Sequence, residues 1–361
     1  MEQRVFERNP ESKGRGPVLG WLCSYTPVEI ALAAGYMPKR ISGGEALPRA
    51  RDPRIYHLLC PFVRAVFHRF ASGEEAFPDS VAFVRCCDAM VRLHDVWKAY
   101  LPGHLWLLDL PKISSPEAVR YFAHVLEEWA SALGREGPRE VTVERLQEAI
   151  RWMNRARSAF REIFSERTAN PDGMLFETVH GWSRRWLAEP TAECLDEILT
   201  ERSGATAVPS APGGPKVLLT SSMLDQPALI RMIQDTGLEV VVEDECMGAR
   251  HYDRDVSEEG DPYLAIAERY LSRWPCPRMH GHERRWERLS SLMEQARVEG
   301  VIVLQLKYCD QCAFDIPLLK GRCEAKGVPL LVVENDYGEA GSGQIRVRIE
   351  AFAEMLQQPW T

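Results

Sequence analysis

Short, nearly continuous apolar runs recur along this chain, each followed by an amphipathic stretch, and that alternation confines it to parallel α/β architectures. A strand that is apolar along its whole length has both faces covered, which is the signature of a sheet wrapped by crossover helices. In the first half such runs end at Gly16–Cys23 (GPVLGWLC), Tyr36–Ile41, Ser80–Cys87 and His104–Leu110. Helices are predicted between them over Pro27–Ala34, His57–Phe70 and Asp88–Tyr100. From Pro116 to about Thr200 the pattern turns helical, with long amphipathic stretches such as Val143–Phe164. The run Ser203–Pro215 (SGATAVPSAPGGP) then reads as a linker. Beyond it the alternation restarts, with strands predicted at Lys216–Ser221, Leu238–Glu243, Gly300–Tyr308 and Val328–Glu334. Helices are predicted over Gln226–Thr236, Tyr263–Ser272, Arg284–Val298, Ile316–Lys326 and Ser342–Leu356. The expected fold is α/β: two tandem doubly wound, Rossmann-like parallel-sheet domains with an extra helical segment. The expected boundaries are residues 1–202, a linker at 203–215, and residues 216–361.

With 45% hydrophobic and 27% charged residues the chain has the composition of a globular protein with a real core. Its net charge of −8 argues against nucleic acid or an anionic membrane surface as the main partner. No segment approaches the run of about 18 apolar residues that a membrane span needs. The charged amino terminus (MEQRVFERNPESKGRG) lacks the apolar core of a secretory signal, so the expected compartment is the cytosol.

Ten cysteines are then the feature to explain. In a reducing compartment they remain thiols, free for ligation, catalysis or simple packing. Ligands in open α/β sheets bind beyond the carboxyl ends of the strands. Cys23, Cys87 and Cys309 fall at such ends, and Cys246 follows another by two residues, in VVVEDECMGAR. Two come from each half, so a shared site would lie in the cleft between domains. Cys60 stands at the entry to a helix, where Pro61 suits the first turn and the helix terminus favours a thiolate. Cys276 is flanked by prolines in a loop. Soft thiolates select iron–sulfur clusters, zinc or copper(I). Cys309–Cys312 (CDQC) has the spacing of half a zinc site, but no second such pair exists, and six dispersed cysteines suit a large cluster better than one tetrahedral ion. Cys312 stays open as a ligand, a supporting thiol or neither. Cys194 and Cys323 are assigned to packing, and of Cys86 and Cys87 one is expected to face the site, since successive strand residues point oppositely.

Taken together, GWLCSYTPVEIALAAGYMPKRI, LLCPFVRA, CDAMVRLHDVW, VVVEDECMGAR, LKYCDQCAFDIPLLK and GQIRVRIEAFAEML resemble the 2-hydroxyacyl-CoA dehydratase and benzoyl-CoA reductase family, from about Gly20 to Leu356. The resemblance implies two α/β domains with an oxygen-sensitive cluster between them, charged by a separate ATP-hydrolysing [4Fe-4S] activator. It implies a [4Fe-4S] cluster on Cys23, Cys60 and Cys309. For a related double-cubane branch it implies an [8Fe-9S] cluster that also uses Cys87, Cys246 and Cys276. All six positions are filled, so the double cubane is preferred and the single cubane is the alternative. A homodimer is preferred to a heterodimer with a paralogous subunit, and the substrate is a small molecule or an acyl-CoA. The chain shows no GxxxxGK[ST] loop, so ATP binding belongs to the partner. A non-catalytic, metal-stabilised scaffold is the reading from a different class.

Several neighbours complete the candidate set. Glu29 could relay protons or only favour a helix dipole. Ser24 and Tyr25, beside Cys23, could hydrogen-bond sulfur. His251 could face the cleft, but a surface position is expected. His280 and His282 near Cys276 could support the site or transfer protons, but an exposed loop is expected. Gln344, Arg346 and Arg348 would bind an anion or pair with acids such as Glu350.

Overall fold

The structure is a computed structural model, and it describes residues 16–44, 52–205, 213–337 and 343–357. The charged amino-terminal stretch lies outside the described residues. The first unit comprises β1 (Val18–Trp21), α1 (Val28–Ala33), β2 (Met37–Arg40), α2 (Pro61–Ser72), β3 (Ser80–Val84), α3 (Asp88–Tyr100) and β4 (His104–Leu108). Its four strands are all parallel in the order β2-β1-β3-β4. Every residue of β1 and β3 is buried, as their unbroken apolar sequences require.

Four helices follow: α4 (Pro116–Glu136), α5 (Val143–Ala169), α6 (Phe176–Ala188) and α7 (Ala192–Gly204). Ser115, Thr142 and Thr191 cap α4, α5 and α7 by accepting from backbone N–H groups in the first turn. Of the expected linker, Ser203 and Gly204 close α7, and residues 206–212 lie outside the described residues.

The second unit repeats the first arrangement. It runs β5 (Lys216–Ser221), α8 (Pro227–Asp235), β6 (Glu239–Asp244), α9 (Pro262–Ser272), α10 (His282–Gln295), β7 (Gly300–Leu306), α11 (Asp310–Ala325), β8 (Leu330–Asn335) and α12 (Gly343–Gln357). Its strands are parallel in the order β6-β5-β7-β8. The expected fold class is therefore what the chain adopts. The helical segment does not stand apart: α5 packs on α1, and α4 on α9, so it ties the two units together. One apolar core runs from Leu19 and Phe83 through α4–α6 to Val303, and a second covers the opposite face of the second sheet through Val217, Leu219 and Ile349.

One helix begins earlier than expected. α11 starts at Asp310 and carries Pro317 inside it, whereas the sequence pattern placed its start at about Ile316. Among the described residues no helix is long and apolar enough to cross a membrane.

Candidate functional site

Both sheets change direction at an inner pair of strands, β1/β3 in one and β5/β7 in the other, and in such folds the crevice opens there. The segments leaving those strands meet around one cavity of about 180 Å³. Cys23 reaches it from the turn after β1, Cys87 from the end of β3, Ser222 and Met223 after β5, Cys246 after β6 and Cys309 after β7. Cys60 and Cys276 also line it. All six expected ligand positions thus border one space.

Local geometry explains how three of them are aimed. Cys60, Cys87 and Cys309 are the cap residues of α2, α3 and α11, so three helix amino termini converge on the cavity. Unpaired backbone amides and the helix dipole favour an anion there. Pro61 suits the first position of α2 because its missing N–H would have had no partner. Tyr308, just before Cys309, holds φ at 58°, a left-handed conformation uncommon outside glycine that turns the chain sharply from β7 into α11.

Cys86 departs from expectation, since it lines the cavity alongside Cys87. Strand β3 ends at Val84, and the bend that follows, with Cys86 N donating to Val84 O at 2.6 Å, removes the alternation that would have sent the two side chains apart. Cys86 is the hydrogen-bonding neighbour of both Cys23 and Cys87, which compete for its one thiol proton. It lowers Cys23 to about 6 and Cys87 to about 5, against the opposing effect of burial. Its own proton is correspondingly harder to lose. Burial pushes the Cys60 and Cys246 thiols up. Cys312 is buried one turn behind Cys309 without lining the cavity, and burial followed by the neighbouring Cys309 raises it to about 12. Cys194 and Cys323 are buried in α7 and α11, away from the cavity.

Two guanidinium groups reach the thiols. Arg40 Nη2 donates to Cys246 Sγ at 3.3 Å and Met223 Sδ at 3.8 Å, while its plane lies over the Trp21 ring at 4.6 Å. Arg278 Nη2 donates to Cys309 Sγ at 3.8 Å. Neither appeared among the sequence candidates; the signal was only that Arg40 closes a strand and Arg278 follows Cys276 by two residues. Leu58, Leu59, Phe62, Met90 and Leu306 supply an apolar wall.

The remaining candidates fall in varied places. Ser24 and Tyr25 line the cavity, but Ser24 Oγ and O both accept from Arg273 at 2.8 Å, and that guanidinium lies over Tyr25 at 4.3 Å. Glu29 does not line the cavity: it is fully buried, accepts from Arg157 Nη2, and accepts from the Tyr270 hydroxyl at 3.0 Å. His251 corrects the sequence expectation, being only 1% exposed and stacked on Trp21. Its segment turns inward after β6, and Arg269 anchors its carbonyl. His280 is exposed, and His282 lies 3.6 Å from Asp315, neither at the cavity. Gln344, Arg346 and Arg348 are exposed on α12, where Arg346 pairs with Asp235 and Glu350 at 3.5 Å.

The thiols surround a space and do not meet at a point. Among the described residues, no three His, Cys, Asp or Glu side chains are close enough together to hold one metal ion. A bulky polynuclear group fits this donor set: thiol chemistry, several candidate ligands drawn from both units, two arginines beside the sulfurs and an apolar lining.

Fold and site together define a tandem α/β protein with a thiol-lined cleft at the carboxyl edges of its two parallel sheets. The chain belongs to the family of the 2-hydroxyglutaryl-CoA dehydratase D-component, whose profile matches residues 23–356. It is similar to the putative dehydratase subunit YjiM of Escherichia coli (strain K12), at 26% identity over 95% of this chain and 93% of that protein. A benzoyl-CoA reductase subunit of Thauera aromatica is 26% identical over 97% of this chain and 92% of its own length. The beta subunit of (R)-2-hydroxyglutaryl-CoA dehydratase from Acidaminococcus fermentans is 23% identical over 94% and 92% of the two chains.

Proposed function

We propose that this chain is the cluster-bearing component of an ATP-dependent, low-potential reductase or dehydratase. The single observation that carries the reading is the convergence of Cys23, Cys60, Cys87, Cys246, Cys276 and Cys309 from both units on one cavity. Cys23, Cys60 and Cys309 would hold one cubane and Cys87, Cys246 and Cys276 the other, in an [8Fe-9S] assembly. When bound, such a cluster supplies single electrons at low potential. The protein's own part is to bind and shield it. Helix termini at Cys60, Cys87 and Cys309 present backbone amides to an anionic cluster, the apolar wall limits water, and the Arg273–Ser24 contacts hold the turn that carries Cys23. Electrons would come from a separate ATP-hydrolysing [4Fe-4S] activator, and the acceptor would be a small molecule or an acyl-CoA. All ten cysteines are free, which suits a reducing cytosol.

A second reading is a subunit of a heterodimeric acyl-CoA dehydratase or aryl-CoA reductase carrying one [4Fe-4S] cluster. It is favoured by the relatives' being named as subunits of larger enzymes. The preferred reading takes the chain as a homodimer.

Iron and acid-labile sulfide after anaerobic purification test both: about eight irons per chain are expected, and about four would favour the second reading. Cys309→Ala should abolish loading while Cys194→Ala leaves it intact; equal metal content in the two variants would sink the ligand assignment. Turnover that requires both this chain and an activator distinguishes either reading from a metal-stabilised scaffold.

A further inference from the structure

Several buried arginines in this protein meet a carboxylate. Arg157 meets Glu29, Arg250 meets Asp244, and Arg285 meets both Asp244 and Asp315. Arg40, which is buried, and Arg278, which is half-buried, both line the cavity, and no carboxylate lies within ion-pairing distance of either among the described residues. Arg40 is 4% exposed, and its Nε and Nη1 are buried without a hydrogen-bond partner, as is Arg278 Nε. An unpaired buried cation is strongly unfavourable, and a protein keeps one only where something else supplies the opposite charge. The groups these arginines do reach are sulfurs: Cys246 for Arg40 and Cys309 for Arg278. Arg40 comes from β2 of the first unit to a thiol of the second, and Arg278 from the loop before α10. The two acids on the cavity lining, Asp88 and Asp310, are exposed at its mouth and do not compete for them.

We propose that Arg40 and Arg278 are the countercharges of the thiolate cluster, positioning residues that offset its negative charge and hold its reduction potential above the value the apolar wall alone would impose. This rests on the cluster reading above. Each electron taken up adds negative charge beside the sulfurs, and a fixed cation stabilises the reduced form more than the oxidised one. Removing either cation should therefore make the cluster harder to reduce.

The experiment compares native chain with Arg278→Met, Arg278→Lys, Arg40→Met and Arg40→Lys after anaerobic loading. Iron and sulfide content is measured, with the potential read by spectroscopically monitored redox titration. The Met variants should show a more negative potential or lower loading, with the Lys variants restored toward native. Met and Lys variants that behave alike, whether both native-like or both depleted, would overturn the proposal. A native chain that takes up no iron or sulfide would defeat the cluster reading itself. The countercharge role is then judged on metal-free protein: Arg278→Met melting at or above native supports it, because an arginine kept for its charge costs stability when nothing neutralises it. Melting well below native would show a merely structural arginine and overturn it.

Discussion

Glu29 illustrates how much a residue's role depends on its partners. As the one acid in the first turn of α1 it invited a proton-transfer role, yet its carboxylate is committed to Arg157 and Tyr270. Burial alone would raise it, but Arg157 and then Arg269 outweigh burial and hold the carboxyl below its usual range. Replacing Glu29 with Gln strands the Arg157 cation, which should destabilise the fold by about 3–5 kcal/mol. Thermal melting checks this; a variant with native stability and lost turnover would return Glu29 to the chemistry. His251 carries the pH dependence. Burial, then Arg269, Arg273, Arg157 and Arg40, depress its proton affinity well below the ordinary imidazole value of 6.5. As pH falls below that value, the unfolded chain binds a proton that the folded chain refuses, so stability is full above it and declines below. His251→Phe should flatten the melting curve's dependence on pH between about 6.5 and 5, while an unchanged slope would assign it elsewhere.

At the scale of elements, the loop after β2 is latched to the second unit. Asp225, after β5, accepts from Ser42 Oγ at 3.0 Å, from Gly43 N at 2.7 Å and from the Tyr337 hydroxyl. Gly43 is needed because a Cβ there would stand 2.5 Å from the Tyr337 ring. Asp225→Ala leaves buried donors without their charged acceptor and should cost about 3 kcal/mol. A lower denaturant midpoint with unchanged slope is the expected result. Helix α11 teaches a related lesson. The sequence pattern pointed to a start near Ile316, but the helix is capped at Cys309, whose side chain lines the cavity. A boundary set by what the helix end serves cannot be read from side-chain pattern alone.

For the whole molecule, two parallel sheets with covered faces followed from the unbroken apolar runs, because burial on both faces leaves no room for polar alternation. Cysteines at strand ends were equally legible, since parallel sheets carry every strand's carboxyl end to the same edge. What linear order cannot express is which of these ends face one another. Tertiary contacts such as the packing of α4 on α9 and the Asp225 latch to Ser42 and Gly43 set the two edges together, so that Arg40 meets Cys246 across 206 positions of sequence. Tertiary packing also placed His251 inside, while the bend after β3 brought Cys86 to the cavity. The sequence by itself determined the layers and the edge on which a site could form, because those depend on local periodicity. Tertiary structure alone decided which thiols share a space and which charges balance them, because those depend on distances between residues far apart in the chain.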